Sequence, residues 1–257
     1  MRVVRPFVVL ALLTTGLTTG RCAVGRSATH PPAVGGSSLA SVASERVIPS
    51  ADRTLLIGKL RAALAAVPPP PAPYALSEDT SEESVADSSP WEDGAGRWAA
   101  PASAIAERIY EARAQKPEAG EPEAIEIRVE LNGLWDLPRG LASVGGDPVS
   151  FPVSGATAVE VAMIAPDAEA GRVALPLSQE QIENRLAVIC VYVGSARAER
   201  VIREAVEKGS STSSTLRGTR RASDVQRLTI QLHGPKRTIE ALASSVRVAA
   251  LRRLLAR

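Results

Sequence analysis

The chain has 257 residues, 45% hydrophobic but only 3% aromatic, and its 30 Lys+Arg against 28 Asp+Glu leave a formal net charge of +2. That length supports one core of ordinary domain size with unstructured chain to spare. Of the two cysteines only Cys190 remains if the first 25 residues are removed, so no intrachain disulfide is expected, and the scarcity of aromatics means a core of small and aliphatic side chains.

Arg2 and Arg5 precede an apolar run over residues 7–20, with Ala23 and Gly25 after it. A basic start, an apolar middle and a small-residue end is the order of a secretory signal. The run is too short for a spanning helix, which needs about 20 apolar residues. Export to the periplasm, cell envelope or medium is therefore expected, with cleavage after Gly20 or Gly25. Lipid attachment at Cys22 competes with that outcome, against Arg21, which stands where a lipoprotein signal carries a small residue.

Residues 26–50, rich in Ser, Gly, Ala and Pro, read as a disordered tether. Leu55, Leu56, Leu60, Ala63 and Leu64 recur at helical spacing, which predicts a helix over 51–67 with Ser50 as its N-cap. The prolines at 68–71 stop it, since proline lacks the N–H and clashes with the preceding turn. Residues 77–97 are acidic, serine-rich and poor in aliphatics, so a mobile loop is expected there.

Residues 101–115 carry two patterns. Alanine richness and the Ile105, Ile109, Ala112 spacing suit a helix, whereas the turn and strand that follow suit a hairpin. A strand is preferred, because the next segment needs a neighbour. In that segment Ile125, Ile127, Val129 and Leu131 alternate with Glu126, Arg128 and Glu130, which predicts an antiparallel strand with one wet face. Glycines and prolines make 133–152 mostly loop. Strands are expected at 156–164, 186–193 and 226–232, and helices at 196–208 and 238–256.

The chain thus reads as α+β: a mainly antiparallel sheet packed by N-terminal and C-terminal helices, an α/β sandwich, behind a long disordered N-terminal region. The expected division is a signal peptide at 1–25, the tether at 26–50 and a single domain at 51–257. The order strand, glycine, helix occurs twice near the C-terminus and reads as ordinary alternation rather than a repeat. The element order is similar to that of PsbP-like domains, which implies a sandwich and no function.

Catalytic motifs are absent. The sequence has no HExxH, CxxC or Cys/His cluster, and no GxSxG, GxGxxG or P-loop, so neither a metal nor a cofactor is expected. Cys190 and His233 stand on two different strands, and a thiolate nucleophile needs such a base. Cys190 is nevertheless flanked by Ile189 and Val191, which marks a small buried thiol. Asp136 and Asp147 lie in the glycine-rich loop beside Trp135, where loop carboxylates suit a sugar or a cation. Cys190, His233, Asp136 and Asp147 are the residues to test for a hydrolase-type enzyme assembled from the 133–152 loop and strand ends. Arg220, Arg221 and Ser223 resemble a basophilic kinase site, a coincidence in an exported chain.

The charge distribution exceeds background. Residues 78–136 hold 15 Asp/Glu against 5 Lys/Arg, a net of −10, and residues 171–257 hold 7 against 16, a net of +9. A basic C-terminal region attracts anionic lipid, anionic polysaccharide or an acidic protein. Arg220, Arg221, Arg252, Arg253 and Arg257 are the expected anion-binding residues, with Arg252 and Arg253 on the solvated end of the last helix. The competing arrangement has the acidic 78–97 stretch covering this basic face. Nucleic acid is excluded as a partner by export and by the lack of basic–aromatic interleaving. A non-enzymatic, exported binding or accessory protein is the function this pattern favours; the hydrolase and a structural envelope component are its rivals.

Overall fold

In the computed structural model, residues 44–77, 82–112, 124–133, 148–162, 186–208 and 216–256 are described. In chain order these form β1 (Ser44–Val47), α1 (Ser50–Leu64), β2 (Tyr74–Leu76), β3 (Glu82–Val85), β4 (Ser88–Glu92), β5 (Arg97–Trp98), β6 (Ala104–Ala112) and β7 (Ala124–Leu131). After them come β8 (Val149–Phe151), β9 (Thr157–Ala162), β10 (Leu186–Val193), α2 (Ala196–Lys208), β11 (Leu228–Pro235), α3 (Lys236–Ser245) and α4 (Val248–Arg252). The fold is α+β with a mostly antiparallel sheet and few helices.

The main sheet runs β2-β6-β7-β11-β10-β9-β8, with β3 also paired to β6. Period-two alternation decides its faces. Ile125, Ile127, Val129 and Leu131 of β7 meet Leu228, Ile230 and Leu232 of β11 and Ala187, Ile189, Val191 and Val193 of β10 in one buried cluster. α1 lies over β3, β6 and β7 on this face, and α3 over β10 and β11. The opposite face is covered by α2, whose Ile202 and Ala205 pack on Val159, Val188, Cys190 and Tyr192. Farther along that face Glu126, Arg128 and Glu130 are half-exposed, the wet face that their alternation demands.

The 101–115 ambiguity resolves as strand β6, paired along its length with β7. The two strand–glycine–helix units send α2 and α3 to opposite faces of the sheet, so they are alternation and not a repeat. Gly234 is needed where it stands. Its φ is 154°, and a Cβ there would lie 3.1 Å from Ile125 Cγ1 and 3.3 Å from Ile239 Cγ2.

Four local expectations are corrected. The end of the presumed tether forms β1, which pairs with β4 in a separate three-stranded sheet with β5. The first helix starts at Ser50 itself, with Pro49 in the cap position and no side-chain cap. The stretch expected as a mobile acidic loop is ordered from Glu82: it forms β3, β4 and β5. Apolar anchors that a composition average hides account for this, since Val85 and Trp98 are buried and Trp91 meets Trp98 edge-on at 5.2 Å. Arg46 of β1 stacks over the Trp91 ring at 4.3 Å. The final helix, expected as one piece, is broken at Val246 and Arg247. The break lets the Arg247 N–H donate to the Ala66 carbonyl at 3.0 Å, closing the end of α1.

Candidate functional site

One end of the sheet gathers the start of β6, the end of β7, the start of β11 and the end of β10, in the register Ala104, Leu131, Leu228, Val193. The loop 216–227 crosses this end. It lacks an apolar period of its own; Ala222 and Val225 are buried in the core, and polar contacts hold the rest. Asn132, just past β7, adopts a left-handed φ of 55°. Its Nδ2 donates to the carbonyls of Ala102 and Asp224, both at 2.8 Å, and its Oδ1 accepts from the Gln226 N–H at 2.8 Å. Asn tolerates this backbone region better than other non-glycine residues, and its amide serves both donor and acceptor needs here.

The same loop is tied to α1. Lys59 Nζ donates to the Ser223 carbonyl at 2.7 Å, and Ser223 Oγ donates to Asp52. Burial lowers the Lys59 pKa, while Asp224 and Asp52 oppose that shift. Ser223 is buried, so the kinase-like stretch offers no accessible hydroxyl. The chain end joins the assembly through Ala256, whose N–H donates to the Val225 carbonyl at 2.7 Å. This brings Arg253 to the same end as Arg217, Arg220 and Arg221.

These four arginines are exposed, and none has an ion-pair partner among the described residues. Arg252 is different. Its guanidinium meets the Glu199 carboxylate at 2.9 and 3.1 Å, the Gly155 carbonyl at 2.6 and 3.0 Å and the Gly194 carbonyl at 3.1 Å. Glu199 is buried and also accepts from the Gly194 N–H at 3.0 Å. Arg252 is 40% exposed, as its expected place at the solvated end of the last helix requires, but its guanidinium is committed to Glu199 and two carbonyls, so it clamps α4 to α2 and to the turn before β9 instead of standing free for an anion. Arg257 lies outside the described residues.

No described carboxylate of the acidic stretch pairs with Arg217, Arg220, Arg221 or Arg253. Asp87 pairs with Arg53 at 2.7 Å, Glu83 with Arg61 at 2.9 Å and Glu92 with Arg97 at 2.8 Å. Arg53 and Arg61 lie on α1; Arg97 lies on β5, whose Trp98 bridges to Thr219, so the Glu92–Arg97 pair sits beside the loop without pairing to its arginines.

Cys190 and His233 face the same side of neighbouring strands, but Cys190 is opposite Gln231 and His233 opposite Val188. No hydrogen bond joins the two. Cys190 is shut beneath α2, and burial pushes its thiol up to about 12. A thiol so placed is neutral at physiological pH and no nucleophile. His233 Nδ1 lies 3.8 Å from Glu126 Oε2 on the wet face. Asp136, Asp147 and Cys22 lie outside the described residues. Among the described residues, no group of three His, Cys, Asp or Glu side chains converges on one point.

Sequence reasoning missed Asn132 and Glu199, the two residues that organise this end. Asn132 stands in a loop-like stretch beside Gly133, and Glu199 reads as an exposed helix carboxylate by spacing alone. Neither long-range partner has a local signature. Comparison of the chain with family models, with curated proteins and with solved structures gives no match in any of the three.

Proposed function

We propose that this chain is an exported, non-enzymatic binding or accessory protein that docks an anionic surface through the sheet end bearing Arg217, Arg220, Arg221 and Arg253. The observation that carries the reading is the gathering of four exposed arginines without ion-pair partners among the described residues at one end of the fold. Three acids of the 82–97 stretch, Glu83, Asp87 and Glu92, are committed to Arg61, Arg53 and Arg97. Their engagement supports an accessible basic end rather than a self-neutralised one. Arginine suits such a role, because its planar fork binds phosphate and carboxylate oxygens in pairs. Export rests on the 1–25 leader; no helix among the described residues is long and apolar enough to cross a membrane.

Co-sedimentation with vesicles of phosphatidylglycerol and phosphatidylcholine, beside retention on an anionic polysaccharide matrix, tests the reading and separates the two sources of negative charge. Binding is expected at 0.01 M salt and should fade by 0.15 M, as the Debye length falls from about 30 Å to about 8 Å. The double change Arg220→Glu and Arg221→Glu should weaken it at least tenfold with the unfolding midpoint unchanged. Absence of binding to both supports at low salt refutes the reading.

A further inference from the structure

A second cationic feature lies away from the basic end, beyond the C-terminal end of α1. There the end of α1, the proline stretch, the middle of β6 and the break between α3 and α4 enclose an open cleft of about 470 Å³. Leu64, Val67 and Pro68 line one side, and Arg108, Tyr110 and Arg247 supply the polar groups. The volume falls in the range of about 300–1,000 Å³ typical of small-ligand sites.

Arg108 occupies an unexpected place. Along β6 the residues facing α1 are Ala104, Ala106, Arg108 and Tyr110, and the other three are buried. Its cross-strand partner on that face is Ile127, itself buried. A charge in a core row normally has a counter-ion close by. Arg108 has neither a hydrogen bond nor an ion pair among the described residues. The carboxylate best placed to serve it is Glu83, which is paired in register with Ala106 on the same face. Glu83 is already committed to Arg61, which donates from Nε to both of its oxygens at 3.0 Å. Arg247 contributes a second guanidinium, one arm of which donates to the Ala65 carbonyl. That contact satisfies one carbonyl at the negative end of α1.

We propose that this cleft binds an amphipathic organic monoanion, its head on Arg108 and Arg247 and its apolar body along Leu64, Val67, Pro68 and the Tyr110 ring. Each half of the lining excludes a simpler ligand. An inorganic anion leaves the aliphatic and proline wall wet, and a neutral apolar molecule leaves Arg108 unpaired. Pro68 carries no N–H, so that wall contributes shape and apolar surface and no competing backbone donor at that position.

The test is calorimetric titration of the purified chain with sodium octanoate, sodium acetate and inorganic phosphate. Octanoate should bind saturably and at least tenfold more tightly than acetate or phosphate. Arg108→Met, which keeps the side-chain length and removes the charge, should lower octanoate affinity at least tenfold. Pro69→Glu, at the exposed rim, should lower it too and guards against a folding defect in the first variant. Arg220→Glu with Arg221→Glu should leave octanoate binding unchanged, which separates this cleft from the basic end. Equal affinity for octanoate and acetate, unaltered binding by both cleft variants, or no saturable octanoate binding overturns the proposal.

Discussion

Arg252→Glu is expected to destabilise the fold by about 4 kcal/mol, within the range for breaking a buried ion pair from one side. The reason is asymmetric burial. The Arg252 side chain is 40% exposed, and by itself it resembles a surface arginine of small energetic weight. Its partner Glu199 is 6% exposed and cannot recover solvent when the arginine is lost. Two backbone carbonyls, of Gly155 and Gly194, lose their charged donor at the same time. The substitution also sets a second carboxylate against the first. Urea unfolding followed by far-UV circular dichroism measures the loss. Adding Glu199→Gln should restore part of it, because the uncompensated charge is then gone. A loss below about 1 kcal/mol would show that water screens the pair, as it does exposed pairs.

Asn132→Ala should cost about 3 kcal/mol. The change removes three hydrogen bonds at a position that is 3% exposed and leaves two carbonyls and one N–H to find other partners. It also places a Cβ-bearing residue without a local polar contact in the left-handed region. Asn132→Gly should cost less, since glycine accepts that φ, and the difference between the two variants isolates the backbone contribution. Thermal unfolding reads both. Equal losses for alanine and glycine would mean that the backbone conformation contributes nothing and the amide alone holds the loop.

Much of the architecture was legible because it rests on periodicity. The alternation at 125–131 defines β7, its core face and its wet face without any knowledge of neighbours. Helical spacing locates α1 and α2, although α1 begins one residue earlier than expected and the 238–256 helix is in fact two. What failed was reasoning from composition. An acidic, serine-rich stretch looked unable to bury itself, yet Val85, Trp91 and Trp98 are enough to anchor three short strands when Arg53, Arg61 and Arg97 pair with its acids. Two of those arginines come from α1, a contact that local sequence does not encode. The residues proposed to bind an anionic surface were half legible for the same reason. Clustering in sequence identified Arg220, Arg221 and Arg253 as cations, but only the fold distinguishes the solvent-facing Arg253 from the adjacent Arg252, spent on Glu199. The cleft was not legible at all, since Arg108 and Arg247 are distant in sequence and each looks like an ordinary surface charge.

Hydrogen–deuterium exchange of the chain with and without phosphatidylglycerol vesicles at 0.01 M salt tests the docking claim most directly. The account predicts slowed exchange confined to residues 216–227 and the segment around Arg253, with the α2 face and the wet strands β6 and β7 unchanged. Slowed exchange centred on the wet face or on β1, with 216–227 unaffected, would contradict it.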